Sequence, residues 1–182
     1  MVRKLKYHEQ KLLKKVDFIT WKVDNAGKEA NVIRRYHIRK PSDYTKYNKL
    51  SREVRTLGEK IKSLEDTDPF KSEAASMLLE KLYSMGLMRN KIDLEMATRL
   101  TASSFCRRRL PVVMVKCRLS QNLKNATDLI EQGHVRVGPD MITDPAFLVT
   151  RNLEDFVTWV DSSKIKQHVL RYNDQRDDFA LA

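Results

Sequence analysis

The sequence predicts an α+β chain: a helical N-terminal region, then two short helices closed by a small antiparallel sheet. Three observations predict this class. Apolar residues recur at steps of three and four between Tyr47 and Ile130. The last helical pattern stops on Gly133 and turns at once into the alternation His134-Val135-Arg136-Val137. Beyond it, short runs rich in Val, Ile, Phe and Thr lie between the turn signals Gly138-Pro139-Asp140 and Asp144-Pro145.

Residues 1–42 read as a basic arm. Within it, residues 5–16 suit a helix with Leu5, Leu12, Leu13 and Val16 as its apolar positions. Residues 24–42 carry Asp, Asn, Gly and Pro punctuation, so an irregular or partner-dependent stretch is expected there. Residues 43–104 read as a helical region. Its first helix should begin near Ser42-Asp43, after Pro41, and run to about Leu64. The seam Tyr47, Leu50, Val54, Leu57, Ile61 and Leu64 is too short for a coiled coil. Packing on its own domain and docking on a protein partner both remain open for that seam. Asp68-Pro69 is an N-cap followed by proline at the first helical position. The helix it starts turns Leu78, Leu79, Leu82 and Met85 inward and ends at Gly86. A further helix spans Asp93 to Leu100 and leads through Thr101–Ser104 into the next unit.

Residues 105–160 form that unit. Leu110, Val113, Met114 and Cys117 make one buried stripe, preceded by Arg107-Arg108-Arg109, with Pro111 in the first turn. Ser120 is the expected N-cap of the second helix, its hydroxyl accepting from the amide of Asn122 or Leu123. Leu123, Ala126, Leu129 and Ile130 share one side of it; Gln121, Lys124, Asn125 and Asp128 share another. Strands are expected at Met141-Ile142, Phe147-Leu148-Val149 and Phe156–Trp159, with Phe156 and Trp159 in the core. Residues 161–182 read as a C-terminal tail holding Asp174, Asp177 and Asp178, at the end of a stretch, 139–182, with 8 Asp/Glu against 5 Lys/Arg.

The 182 residues carry a net charge of +11, which favours polyanionic partners. The distribution is uneven. Residues 1–60 hold 17 Lys/Arg against 7 Asp/Glu, and residues 105–138 hold 7 against 2, so two basic regions flank near-neutral sequence. RNA is the polyanion these residues suit. Arg108, Arg109 and Lys116 should form a compact cationic edge beside Arg107 and Arg118. The helix start at Ser120 offers free amides to phosphate, and Gln121, Asn122, Lys124, Asn125 and Arg136 add polar and cationic contacts. His134 suits either a phosphate contact or a packed, capping role. Trp21, Tyr36, Tyr44 and Tyr47 suit RNA stacking, partner docking or internal packing.

Other chemistries find no footing. Cys106 and Cys117, the only cysteines, read as free, buried thiols in a reducing compartment. The four histidines and two cysteines form no short-spaced pairs, so no structural metal is expected. Neither a phosphate-cradling glycine loop nor a nucleophile elbow is present, and no acidic pair calls for catalysis, so neither an enzyme nor a cofactor is expected. No apolar run approaches the ~18–20 residues of a membrane span, and the N-terminus lacks a signal-peptide core. A soluble intracellular protein is expected.

Arg108-Arg109-Leu110, Ser120, Ala126, Ile130, Gly133-His134-Val135 and Val137 resemble the S4 RNA-binding domain, over about Phe105 to Trp159. Pro111 and Gly138-Pro139 stand where that family often has an Asp and an Asn-Gly turn. Upstream, Arg55–Ile61, Leu78–Met88, Ile92–Leu94 and Phe105–Leu110 resemble the eukaryotic small-subunit ribosomal protein of the S4 family. Val2–Phe18 and Arg34–Lys40 more closely resemble the Imp-type subunits of the U3 small nucleolar ribonucleoprotein, a likeness covering almost the whole chain. That resemblance implies a nuclear, nucleolar, non-catalytic assembly factor that helps U3 RNA pair with the ribosomal RNA precursor. It also implies an M-phase phosphoprotein partner among the small-subunit processome proteins, for which Tyr47, Leu50, Val54, Leu57 and Ile61 are the candidate contacts. The alternative it leaves is a structural small-subunit ribosomal protein.

Overall fold

The structure, a computed structural model, describes residues 3–15 and 25–175. The expectations for Val16, Trp21, Asp177 and Asp178 lie outside them. In chain order the elements are α1 (Tyr7–Lys15), α2 (Asn25–Arg35), α3 (Pro41–Lys62), α4 (Pro69–Ser84), α5 (Leu94–Thr98) and α6 (Ala102–Cys106). There follow α7 (Leu110–Lys116), α8 (Leu123–Glu131), β1 (Val135–Val137), β2 (Asp140–Met141), β3 (Val157–Trp159) and α9 (Lys164–Tyr172). The α+β class holds, with an antiparallel sheet of order β2-β1-β3.

Each boundary has a local cause. Asp68 caps α4 by accepting from the Phe70 amide at 2.9 Å, with Pro69 opening the helix as its missing N–H allows. Asp93 caps α5 in the same way, accepting from Glu95 at 2.7 Å. At the other ends, α4 and α8 close in Schellman motifs on Gly86 (φ 73°) and Gly133 (φ 76°). Helices α2, α7 and α9 close with the same pair of hydrogen bonds but put His37, Arg118 and Asp174 in the left-handed position. Gly138 (φ 62°) and Pro139 form the two-residue loop joining β1 to β2, where a first residue of positive φ turns the chain as a II′ hairpin requires.

Three apolar clusters hold these elements. One packs Leu110, Val113, Met114, Ala126 and Ile130 of α7 and α8 against Val135, Val137, Val149 and Val157. A second joins Leu79, Leu82, Met88, Ala97 and Leu100 within the helical region. The third, Ile38, Tyr47, Ala102, Phe105 and Cys106, cements the two regions together, with Tyr47 stacked on Phe105 at 6.1 Å. Polar ties reinforce that seam: the Tyr47 hydroxyl donates to the Ala146 carbonyl at 3.1 Å, and Arg39 pairs with Asp128 and Glu131 of α8.

Several expectations need correction. Residues 25–35 are helical rather than irregular, because Val32 and Ile33 pack on the third cluster. Helix α3 starts at Pro41, not at Ser42-Asp43, with Lys40 as N-cap. Its seam is split: Tyr47 and Ile61 are buried, whereas Leu50 and Leu57 are 42% and 46% exposed. Helix α8 starts at Leu123 with Asn122 as N-cap; Ser120 caps nothing, its hydroxyl donating instead to the Asn122 carbonyl. Phe147–Val149 is no strand, because its backbone is spent on the α6–α7 link: Leu110 N–H donates to Phe147 O and Val149 N–H to Arg108 O. Phe156, 58% exposed, is outside the core. Cys117 is exposed, since α7 ends at Lys116 before the stripe completes its turn, while Cys106 is buried and its thiol pushed up to about 11 by desolvation. The expected C-terminal tail contains α9, capped by Ser163.

Candidate nucleic-acid interface

The basic unit at the start of α7 does not form one cationic edge. Arg107 is exposed, but Arg108 and Arg109 are only 8% and 3% exposed. The reason is geometric: Arg108, in the turn closing α6, and Arg109, the extended N-cap of α7, lie in the link pinned to Phe147–Val149. Arg108 donates to the Val149 carbonyl at 2.8 Å and to Glu154 at 2.9 Å. Arg109 reaches Asp43 of α3 at 3.4 Å and lies over the Tyr47 ring at 5.9 Å. Burial drives the Tyr47 hydroxyl up to about 12, a shift the neighbouring Arg109 charge opposes. Arg109 thus acts as a strut between the two regions.

What is exposed is a contiguous strip. Lys116, Arg118, Gln121, Asn122, Lys124 and Asn125 all face solvent, and residues 116–125 hold three cations and no acid. The Asn122 side chain makes no capping bond, leaving the first amides of α8 without a side-chain acceptor. Ser120 is half-buried within the strip. His134, just before β1, and Arg136, on β1, are engaged elsewhere: the Ser163 hydroxyl meets His134 Nδ1 at 3.0 Å, and Arg136 pairs with Asp161 at 2.9 Å. Asp161 is held below the usual carboxylate range, first by Lys166 and then by Arg136. His134 is half-buried and tied to Ser163 by that bond.

Lys116 joins the strip to a groove of about 690 Å³ between the α4–α5 connection, α5, α6, α7 and the turn at 151–154. Its cations are Arg89, Arg99, Arg107, Arg108, Lys116 and Arg151; of the lining residues only Glu154 is acidic, and Arg99 also pairs with Glu95 of α5 at 2.7 Å. Glu154 bonds Lys116 and Arg108, which together hold its carboxyl below the ordinary range. Arg89 and Arg99 escape a reading of the sequence, because more than 50 residues separate them from Arg151 and Glu154; only the fold gathers the four. The one available signal was Arg89 just past Gly86 at a helix end. A second, apolar trough of about 620 Å³ lies between α3 and α4, lined by Leu57, Leu64, Phe70 and Met77 among others. Among the described residues no cluster of His, Cys, Asp and Glu suits a metal, and no helix is long and apolar enough to cross a membrane.

Residues 4–107 match the ribosomal protein S4/S9 N-terminal domain, and residues 108–155 match the S4 domain. The chain is 59% identical over its full length to the human U3 small nucleolar ribonucleoprotein protein IMP3, covering 99% of that protein. The chain belongs to the S4 family, among the IMP3 proteins. It is 52% identical to the IMP3 protein of Saccharomyces cerevisiae, over 98% of each chain. The small ribosomal subunit protein uS4 of Sulfurisphaera tokodaii is a more distant relative, 27% identical over 81% of this chain and 83% of its own. These are names of ribonucleoprotein and ribosomal proteins, not of enzymes.

Proposed function

We propose that the chain is a non-catalytic RNA-binding subunit of the U3 small nucleolar ribonucleoprotein, working in the nucleolus to help U3 RNA pair with the ribosomal RNA precursor. The relatives named as U3 ribonucleoprotein subunits support the assembly, and the S4 domain supports the RNA. The single observation that carries the reading is the acid-free strip 116–125 running into the cation-lined groove. A surface of that kind lowers the repulsion between two phosphate backbones and holds one strand open for pairing, with no nucleotide hydrolysed.

The test is RNA affinity against salt for the wild type and for the variant K116Q/R118Q/K124Q. If each cation meets one phosphate, the slope of log affinity against log salt falls by about 2–3. An unchanged slope and affinity would remove the strip from the interface. Stable co-sedimentation with finished small subunits, rather than with precursors, would favour the alternative of a structural ribosomal protein, to which the uS4 relatives lend support.

A protein partner, of the M-phase phosphoprotein kind, is proposed for the outward side of α3. Exposed Leu50 and Leu57 support it, as does the apolar trough that Leu57 shares with Phe70 and Met77. Tyr47 and Val54 pack in the internal clusters instead, whereas Ile61 is buried at the base of the trough. Substituting Leu50 and Leu57 by Asp should abolish partner binding with the fold retained; unchanged partner affinity would refute the placement.

A further inference from the structure

The groove sets two kinds of chemistry side by side. Six cations and one carboxylate line it, yet Leu87, Met96, Leu100 and Val112 line it as well. A surface reading only the outside of a duplex meets phosphate and ribose, and apolar side chains there would gain nothing. An unpaired nucleotide brings both a phosphate and a base face. Its size agrees, since about 690 Å³ falls inside the roughly 300–1,000 Å³ of ligand-sized sites.

Two arginines of the groove sharpen this. Arg108 is 8% exposed, and although its Nε and Nη1 are bonded, its Nη2 has no partner. A buried N–H of a cation without an acceptor is costly, and an anionic oxygen is the acceptor its charge suits best. Arg151 has its Cζ 4.1 Å from the centre of the Tyr83 ring, with Nε donating to the Tyr83 carbonyl at 2.9 Å and Nη2 to that of Met88. A guanidinium fixed in this way offers a rigid plane, and such planes receive stacked bases.

We propose that this groove takes an unpaired nucleotide of RNA, its phosphate among the arginines and its base against Met96, Val112 and the Arg151 plane. The inference rests on the RNA-binding reading above. It assigns to the groove, and not to the strip, the distinction between unpaired and paired RNA.

The test uses the full chain and two labelled RNAs in fluorescence anisotropy: a blunt hairpin, and the same hairpin with a short unpaired flank. The flanked RNA should bind about fivefold tighter, the low end of what one stacked base contributes. Met96, 39% exposed, can be changed without disturbing the core. Met96→Glu should abolish the preference, so that the flanked RNA and the blunt hairpin bind that variant equally. Equal affinity of the wild type for both RNAs, or a preference that survives Met96→Glu, overturns the groove while RNA binding by the strip stands. Failure to bind either RNA overturns both. Displacement of the flanked RNA by polyglutamate as effectively, per charge, as by unlabelled flank also overturns it, because the groove then suits an acidic protein segment.

Discussion

Gly86 controls the groove through backbone geometry, and Gly86→Ala measures that control. Gly86 sits at φ 73°, and a Cβ there would lie 2.8 Å from both Cζ and Nε of Arg108. Arg108 cannot swing away freely, because Val149 and Glu154 hold it and it is buried. The left-handed backbone costs a non-glycine residue about 1–2 kcal/mol, and forced overpacking adds about 1–3. A loss of about 3 kcal/mol is therefore expected, which at about 2–4 °C per kcal/mol for a chain of this size lowers Tm by about 6–12 °C. Gly138→Ala is the control: its φ is 62°, but nothing lies within 4 Å of the added Cβ. It should cost only the backbone share, about 1–2 kcal/mol. Urea unfolding of both variants followed by circular dichroism reads the difference. Equal losses at the two positions would mean that Arg108 does not occupy the place described, and the groove's shape would fall with it.

Asp43→Ala leaves Arg109 buried without its carboxylate, so a loss of about 3 kcal/mol is expected in the same urea assay, the low end for a broken buried pair; a loss under about 1 kcal/mol would deny Arg109 its role as a strut. Glu154 binds protons less readily folded than unfolded, so its contribution is present above about pH 4.5 and is lost as pH falls through its depressed folded value. Glu154→Gln should flatten that acid limb of the Tm–pH profile, and an unaltered limb would contradict the assignment. Arg118→Gly relieves a left-handed arginine at φ 60° and should raise stability by about 0.5–1 kcal/mol net of glycine's unfolded-state entropy. The same change should weaken RNA binding, and a gain in stability with no loss of affinity would exclude Arg118 from the interface.

Local signals were legible in the chain and long-range ones were not. Asp68-Pro69, Gly86, Gly133 and the alternation after it carry their own conformational reasons, so α4, α8 and β1 follow from residue chemistry alone. Leu110, Val113 and Met114 likewise announce the buried face of α7. Arg108 and Arg109 read as surface cations because the acceptors that bury them, Val149, Glu154 and Asp43, lie 41 to 66 residues away in sequence. Ser120 met the residue preference of an N-cap but competed with Asn122 two positions on, and only the backbone decides such cases. For α3, heptad spacing placed Leu50 and Leu57 on the seam; the packing of α5 and α6 against the side holding Ser51 and Gly58 turned them outward. The groove belongs to the same class of feature, since its arginines come from four separate segments.

Crosslinking of the full chain to an RNA carrying 4-thiouridine, read residue by residue by mass spectrometry, tests the RNA surface most directly. Crosslinks should fall on the groove, at Leu87–Arg89, Met96–Leu100 and Arg107, and on the strip from Lys116 to Asn125. Crosslinks confined to the α3–α4 trough or to α9, with groove and strip unmarked, would contradict it.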